Sequence, residues 1–416
     1  MSPELISILV LALVFTLATT LSVNMGGLGF AAAFLVGTGV GGLTAEKVLS
    51  GFPGDIFVVL VGVTYLFGIA RANGTVDRLV DLAVRMVGGR IAVIPWVMFG
   101  VTGLLTAIGA VSPAAVAIVA PIALNLANRY GINQLLMGAL VVHGAQAGGF
   151  SPISVYGAIV NGVVERNSLP QNEIALFLAS LVANAVIAAI VFVVFGGLKL
   201  GRADKPTENS ENTEAAPREP ITFHQVLTLL GLVTLVVLTL AFDLNVGLVA
   251  ITIAVVLGVA APKINAEAVN KITWPTVLLI CGVLTYVSVL QQMGAVTYVG
   301  NAVRDVGSPT LAVLLLLFIG AIVSALASSV GVLGATIPLA VPLLSVGHID
   351  PVSMVAALAV AATVVDVSPF STNGAIVLAN ARDVDRDAFF KQLLRYGAII
   401  VAASPVVLWA VLAVVG

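Results

Sequence analysis

Residues 368–380, SPFSTNGAIVLAN, place two serines, a threonine, two asparagines and a proline in a chain that is otherwise mostly leucine, valine, alanine and glycine. A close copy, SPISVYGAIVN, occupies residues 151–161. Positions 151–160 and 368–377 share Ser, Pro, Ser, Gly, Ala, Ile and Val at one constant offset. This internal repeat predicts a chain built from two related halves, with the motif at an equivalent place in each half.

The composition excludes a soluble globular protein. Of the 416 residues, 60% are hydrophobic and 9% are charged, and the mean hydropathy is +1.14. An ordinary globular domain has about 25% charged residues. Apolar runs of roughly 17 to 25 residues are long enough to cross a bilayer. The sequence predicts ten such spans, near residues 5–23, 26–46, 54–72, 134–162, 172–198, 221–242, 245–261, 274–292, 350–380 and 392–415.

Two further apolar stretches, 92–128 and 308–346, are each about as long as two short helices, with AVSPAA and ASSVGVLG at their centres. We interpret both stretches as re-entrant hairpins. Residues 201–220 are rich in Glu, Asn, Pro and Thr, which is typical of a polar linker. The sequence therefore predicts an all-α polytopic membrane protein with a first transmembrane repeat at 1–200, this linker, and a second repeat at 221–416.

The distribution of basic residues predicts the orientation of the chain. If each half holds five spans, one hairpin and one discontinuous helix, the second half enters the membrane from the opposite side, which defines inverted-topology repeats. Threading the chain in this way leaves only Lys47, Arg166 and Arg304, of 18 Lys and Arg residues, on one side. The positive-inside rule makes the other side cytoplasmic. We therefore expect a cell (inner) membrane protein with both termini outside and a cytoplasmic linker; counting the hairpins as full spans leaves this parity unchanged.

The repeated motif is expected to interrupt its helix. Proline removes a helix hydrogen bond and a following glycine weakens continuation, and irregular backbone survives at membrane depth only where it is buried or lines a cavity. Two broken helices near the middle of the membrane, together with two hairpin tips, would present carbonyl groups, positive helix ends and polar side chains. Such a site is suited to an anion and a small cation. The alternative is that Ser-Pro only kinks a span and the hydroxyls bond back to the helix.

Asp366 is the clearest candidate for a coupling group, because it lies two residues before the second motif in a span where an unpaired charge is costly. It would either carry a proton or ligate Na⁺; the alternative is an uncharged or hydrogen-bonded acid that stabilises the break. The aligned residue of the first half is Gly149, and His143 and Gln146 lie one or two turns earlier. His143 could relay a proton, or it is a lone histidine bonded to a neighbouring helix.

The arrangement resembles the ion transporter superfamily, and within it the divalent anion/sodium symporter group and its dicarboxylate carrier relatives of the malonate-carrier (MatC) type. Four segments carry the resemblance: the motifs GAQAGGFSPISVYGAIVN (144–161) and VVDVSPFSTNGAIVLAN (364–380), and the hairpin tips AVSPAAVAIVAP (110–121) and ASSVGVLGATIP (327–338). The resemblance implies two inverted repeats, a scaffold and a transport subdomain, a homodimer formed through the scaffold, and elevator-type movement of di- or tricarboxylates with a cation.

Carried over by position, the sites of the family fall at the hairpin tips and the helix breaks. The resemblance implies substrate contacts at Ser112, Pro113, Ala114, Ser154, Ser328, Ser329, Val330, Ser371, Thr372 and Asn373. It implies cation coupling at Gly149, Ser151 and Ser368, to which the residue pattern adds Asp366 and His143. Well-known symporters of the group carry Ser-Asn-Thr at both hairpin tips, whereas this chain has neither Asn nor Thr there and keeps Ser-Thr-Asn only at the second break.

The sequence leaves three hypotheses for the function of the protein. The leading hypothesis is a secondary carrier for C3–C4 dicarboxylates driven by Na⁺ or H⁺. The second is a cation/proton antiporter of the same superfamily in which Asp366 and His143 titrate; it is less favoured because Asp366 is the one acid well inside a predicted span. The third is a membrane receptor or scaffold that transports nothing.

The sequence gives no indication of an enzyme, since it contains no nucleotide-binding P-loop, no metal-ligand cluster and no nucleophile–His–acid set. We expect no cofactor beyond Na⁺ as a coupling ion. The expected partners are a small organic anion, the lipid bilayer and a second copy of the chain. Nucleic acid is not expected, because a net charge of −2 spread over loops provides no basic patch.

Overall fold

The computed structural model describes residues 2–21, 23–85, 90–202, 220–295, 297–298, 301, 309–326, 329–346 and 349–415, and within these ranges it contains helices and turns but no strand. The α-helices of the first half are α1 (Pro3–Thr20), α2 (Met25–Gly39), α3 (Ala45–Leu49), α4 (Gly54–Ala72), α5 (Thr75–Arg85), α6 (Ile94–Ala107), α7 (Ser112–Arg129), α8 (Gln134–Gly148), α9 (Val155–Arg166) and α10 (Glu173–Val194). Those of the second half are α11 (Phe223–Phe242), α12 (Val246–Ala260), α13 (Pro262–Asn270), α14 (Trp274–Gln292), α15 (Pro309–Leu326), α16 (Ser329–Val346), α17 (Pro351–Val364), α18 (Thr372–Asn380) and α19 (Arg386–Val415).

Seven of the described helices are long and apolar enough to cross a membrane when α17 and α18 are counted as one, so the chain is a multi-pass membrane protein. This is fewer than the ten spans predicted from the sequence. The predicted spans 26–46 and 245–261 form α2 and α12, which have 15 residues each and are therefore only about 22 Å long at 1.5 Å per residue. Polar caps define the start of both helices, and Gly42, with a φ of +63°, follows the end of α2.

The helices of the first half recur in the same order in the second, except α5, whose counterpart position lies largely outside the described residues. The two shortened helices also begin in the same way: the Asn24 side chain accepts hydrogen bonds from the first backbone N–H groups of α2, and the Asn245 side chain does so for α12. The opposite orientation of the halves in the membrane stays a prediction, as do the repeat boundaries. The predicted linker lies largely outside the described residues, which omit 203–219.

The two halves contact each other through two pairs of helices that pack closely at glycine residues. Helix α2 packs against α14, and α4 packs against α12. A Cβ atom added to Gly282 would lie 2.0 Å from the carbonyl oxygen of Gly26, and one added to Gly247 would lie 2.6 Å from the Cα atom of Val59. Only glycine allows backbones to approach this closely, as in other membrane helix pairs. The second helix of each half is therefore bound to the fourth helix of the other.

The predicted hairpins correspond to α6–α7 and α15–α16, and the helices within each pair contact each other. A short turn joins α6 to α7, and in it Gly109 has a φ of +114°, a conformation that favours glycine. Residues 327 and 328, between α15 and α16, lie outside the described residues. Each helix break is anchored in a hydrophobic core, the first through Phe150 and the second through Val367. These cores bring the hairpins and the breaks together.

Candidate functional site

Both motifs interrupt their helices, and a serine caps the helix that restarts. Helix α8 ends at Gly148 and α9 begins at Val155, whereas α17 ends at Val364 and α18 begins at Thr372. Ser154 accepts a hydrogen bond from the Gly157 N–H at 3.1 Å and donates to the carbonyl of Gly149. The side chains of Ser154 and Ser371 therefore satisfy the backbone of the breaks themselves.

The cap of Ser371 has the same geometry. Its hydroxyl accepts from the Gly374 N–H at 3.2 Å and donates to the carbonyl of Asp366. The glycine is required, because a Cβ atom at Gly374 would lie 2.0 Å from the carbonyl oxygen of Ser368. The Ser-Pro-x-Ser-x-x-Gly spacing is thus a compact turn followed by a capped helix, which is why the motif appears twice.

Asp366 lies next to the second break and is almost completely buried. Its Oδ1 atom accepts a hydrogen bond from the Ser329 hydroxyl at the start of α16. Its Oδ2 atom accepts from Gln146 Nε2 at 2.7 Å and lies 3.5 Å from Asn373 Nδ2. In the described part of the chain the ion pairs are Arg166–Asp55 and Lys271–Glu267, so no basic side chain pairs with Asp366.

Ser112, at the tip of the first hairpin, completes the arrangement. Its hydroxyl oxygen accepts from Asn373 Nδ2 at 2.8 Å and from Gln146 Nε2 at 3.3 Å. The Tyr156 hydroxyl lies beside Ser112 and Gln146. We call Ser112, Gln146, Ser329, Asp366 and Asn373 the central cluster. Its members come from both hairpin tips and from both broken helices.

Two buried oxygens of the central cluster accept no hydrogen bond from the described residues. They are Gln146 Oε1 and Asn373 Oδ1, and both side chains are at most 1% exposed. Each amide turns its NH₂ group toward Asp366 or Ser112, because an amide oxygen in that place would be repelled by the carboxylate. A buried acceptor without a donor is costly. The two oxygens are therefore available to a cation, a water molecule or a protonated group of a ligand.

Four helices begin at this place. Ser112 is the first residue of α7 and Ser329 the first residue of α16, while Tyr156 and Asn373 lie in the first turns of α9 and α18. A helix N-terminus carries free N–H groups and a partial positive charge. The convergence of four such ends stabilises the negative charge of Asp366 and favours the binding of an anion.

Other predicted site residues are not part of the central cluster. Ser151 donates to the carbonyl of Ala107 at 2.6 Å, and within the described residues the Ser368 hydroxyl accepts from the Phe370 N–H at 3.4 Å. Thr372 is exposed. The remaining predicted contacts lie near the cluster without a hydrogen bond to it from their side chains: Gly149, Pro113 and Ala114 are in the first half and Val330 is in α16. Ser328 lies outside the described residues.

His143 belongs to a separate buried network. Its Nδ1 atom lies 2.9 Å from Asn184 Oδ1, and its Nε2 atom lies 2.7 Å from the Tyr396 hydroxyl. Both ring nitrogens are therefore occupied, and no hydrogen bond joins His143 to Asp366 in the described residues. The predicted partnership of these two titratable groups is not a direct contact.

Sequence reasoning did not place Tyr156 or Gln146 among the site residues. The internal repeat contained the signal for Tyr156, because it occupies the position in the first motif that Asn373 occupies in the second. Both side chains reach Ser112. Gln146 carried no such signal, since its equivalent, 217 residues later, is Thr363, whose hydroxyl bonds to its own helix.

Comparison with known proteins agrees with a transporter. Residues 1–149 match the family model described as "Dicarboxylate carrier protein MatC N-terminus". A solved structure of the YdaH transporter of Alcanivorax borkumensis, reported to have an unusual topology, superposes with a TM-score of 0.62 over 99% of this chain and 98% of that chain, at 15% sequence identity. No curated protein matches the chain. The structural likeness shows the fold alone, and the family match covers the chain only as far as the first helix break.

Proposed function

We propose that the protein is a secondary active transporter of small organic anions, C3–C4 dicarboxylates, driven by Na⁺ or H⁺. The observation that carries the proposal is the central cluster, in which both hairpin tips and both broken helices converge on the buried Asp366. The match of residues 1–149 to a dicarboxylate carrier family supports the same substrate class. The converging helix ends and the hydroxyl and amide groups supply the attraction for carboxylates.

The charge of Asp366 explains why transport would be coupled. Asp366 has no basic partner among the described residues, so its ionised form repels an approaching dicarboxylate. The repulsion between like charges is strong in a medium of low dielectric constant. A proton on Asp366, or a Na⁺ ion held by Asp366 with the free oxygens of Gln146 and Asn373, would remove this repulsion. Oxygen ligands of this kind suit a hard cation. The anion would then bind well only together with the cation.

The contacts between the helices support an elevator-type movement. We propose that α6–α10 and α15–α19 form the moving part, and that α1–α5 and α11–α14 form the scaffold. Helix α9 packs against α4 of the scaffold. Its polar contacts with the scaffold lie at its C-terminal end, where Arg166 forms an ion pair with Asp55 and Gln291 Nε2 donates to Asn167 Oδ1 at 2.8 Å. No hydrogen bond joins α18 to α14 among the described residues. Under the predicted orientation, the contacts of Arg166 and Asn167 lie on the outer side of the membrane, where we propose that they close access to the central cluster.

A cation/proton antiporter is the second candidate. The observation that favours it is again Asp366, a buried carboxyl group that no basic side chain of the described residues neutralises, since such a group can exchange a proton for a cation without an organic substrate. His143 does not strengthen this candidate, because its hydrogen bonds connect it to Asn184 and Tyr396. We propose inverted repeats, a homodimer, an inner-membrane location and a cytoplasmic linker for either candidate.

The test is uptake of radiolabelled malonate, succinate and malate into proteoliposomes, with Na⁺ and H⁺ gradients imposed separately. We expect gradient-driven accumulation of at least one of the three and its loss in Asp366→Asn. Asp383→Asn is the matched control, because Asp383 is exposed and its contact with Asn128 does not involve the cluster. Absence of accumulation under both gradients, together with cation-dependent proton movement, would overturn the carrier and favour the antiporter.

A further inference from the structure

A second set of buried polar residues lies beside the central cluster, and in the described residues none of its side chains forms a hydrogen bond to Asp366. It consists of His143 on α8, Ser180 and Asn184 on α10, and Tyr396 on α19, and we call it the support network. The first three side chains are fully buried and Tyr396 is 7% exposed. Polar groups so deep in a membrane protein are costly unless each finds a partner.

The donor and the acceptor of each hydrogen bond in the support network can be assigned. Asn184 Nδ2 donates to the carbonyl of Ser180 at 2.9 Å and lies 3.3 Å from its hydroxyl. A carbonyl only accepts, so this contact fixes the orientation of the Asn184 amide. Asn184 Oδ1 must then accept from His143 Nδ1–H, which leaves His143 Nε2 to accept from the Tyr396 hydroxyl. Every partner is thereby satisfied with an uncharged imidazole.

The network ends at the helix break of the first half. The Ser180 hydroxyl donates to the backbone carbonyl of Gln146 at 2.9 Å. That carbonyl belongs to the last turn of α8, where carbonyl groups lack their usual helical donor; within the described residues its other bond comes from the N–H of Gly149 at 3.1 Å. Ser180 therefore holds the turn from which the Gln146 side chain extends to Asp366.

The second half does not repeat the residues of this network at the equivalent positions. The positions 217 residues after His143, Ser180 and Asn184 are Val360, Gly397 and Val401. At Gly397 the helix approaches the second break directly, since a Cβ atom there would lie 3.2 Å from the Cα atom of Ser368. The second half supplies the acid, and the last turn of α17 accepts a hydrogen bond from the Ser324 hydroxyl at the carbonyl of Ala362. The first half supplies the amide that contacts the acid, and the last turn of α8 is held by Ser180 and the rest of the support network.

We propose that His143, Ser180, Asn184 and Tyr396 are positioning residues that hold the Gln146 amide against Asp366 and so set the affinity for the coupling ion. This inference rests on the proposed function, in which Asp366 is the coupling group. It gives His143 a role other than proton relay, because the chain of bonds reaches the backbone of Gln146 and does not continue through its side chain. A network that only stabilised the packing of α8, α10 and α19 would alter stability and leave ion affinity unchanged.

The first experiment measures initial uptake of the transported dicarboxylate as a function of Na⁺ concentration or of pH, in Ser180→Ala and Tyr396→Phe. Ser180→Ala removes the hydroxyl that bonds to the Gln146 carbonyl and to Asn184, and Tyr396→Phe removes the hydroxyl that bonds to His143. We expect the half-saturating concentration of the coupling ion to rise about 3- to 10-fold, with the maximal rate within about twofold of wild type. The matched controls are Ser7→Ala and Tyr286→Phe. Both remove a buried hydroxyl that donates to a backbone carbonyl of α1, away from the cluster.

The proposal is overturned if the controls shift the half-saturating concentration as much as the two variants do, or if the variants leave it unchanged. A second measurement needs no transport: the rate at which dicyclohexylcarbodiimide, a lipophilic carboxyl reagent, labels Asp366, followed by mass spectrometry. We expect the rate to change at least about threefold in Ser180→Ala and Tyr396→Phe and to stay constant in the controls. If wild type accumulates no dicarboxylate, the proposed function fails, while unchanged labelling in the two variants refutes the support network on its own.

Discussion

Gln146 and Asp366, 220 residues apart in sequence, are joined by a hydrogen bond of 2.7 Å between Nε2 and Oδ2. One residue belongs to the last turn of α8 and the other to the turn that follows α17, so the bond links the two helix breaks directly. A charge-assisted bond of this kind is stronger than one between neutral groups. The charge of Asp366 in the second half is therefore stabilised by an amide whose position depends on the backbone of the first half.

The first prediction concerns the amide of Gln146. Gln146→Leu removes the shorter of the two hydrogen bonds to Asp366 Oδ2. We expect coupled uptake to fall by at least about tenfold, since a hydrogen bond to a charged group contributes about 1.5–3 kcal/mol. The matched control is Gln134→Leu on the same helix, whose amide donates only to the carbonyl of Leu124 in the described residues. Equal losses in the two variants would contradict a special role for Gln146.

The second prediction concerns the crossed glycine contact. Gly282→Ala places a methyl group 2.0 Å from the Gly26 carbonyl oxygen, and such overpacking costs at least about 1–3 kcal/mol. We expect a lower melting temperature in detergent and less folded protein in the membrane. Gly27→Ala is the control, because a Cβ atom there meets nothing within 4 Å. A normal melting temperature for Gly282→Ala would show that α2 and α14 do not approach as described.

The third prediction concerns the ion pair between Asp55 and Arg166. Because the pair is partly exposed, its loss costs at most about 1 kcal/mol of stability. If the pair closes the outer side, Asp55→Arg shifts the protein toward the opposite state and lowers the uptake rate, and adding Arg166→Asp restores it. Exchanging Lys271 and Glu267, an ion pair at the C-terminal end of α13, should change neither the conformational state nor the uptake rate. Failure of the double exchange to restore uptake would argue against a state-dependent contact.

The fourth prediction concerns orientation. Lys47 and Arg90 are both exposed, and the positive-inside rule places them on opposite sides of the membrane. We expect a membrane-impermeant maleimide added from outside to label Lys47→Cys in intact cells, and to label Arg90→Cys only after the cells are opened. The native Cys281 is buried and serves as an unreactive background. The reverse pattern would invert the predicted topology.

The sequence was sufficient to locate the two helix breaks and the acid beside the second. Ser-Pro and the following glycine act through the backbone, so their effect is local and can be deduced from the motif. The same reasoning could not tell which of the two side chains, Thr372 or Asn373, points into the site. Neighbouring residues on a helix point about 100° apart, so Asn373 faces Ser112 while Thr372 is exposed.

The partners of His143 and Gln146 could not be predicted, because they depend on which helices pack together. Tyr396 lies 253 residues from His143 in sequence, and Asn184 lies 41 residues away. The predicted spans were also longer than α2 and α12. Hydropathy alone does not register the asparagine caps that begin both helices, or Gly42, which follows the end of α2.

The crossed contact of α2 with α14 and of α4 with α12 has a consequence for biosynthesis. When the ribosome has completed the first half, the glycine faces of α2 and α4 still lack the helices that cover them, because α12 and α14 have not been made. In this early intermediate the glycine faces of α2 and α4 are therefore exposed to lipid until α12 and α14 are inserted. We expect a first half made alone to cover these faces with a second copy of itself.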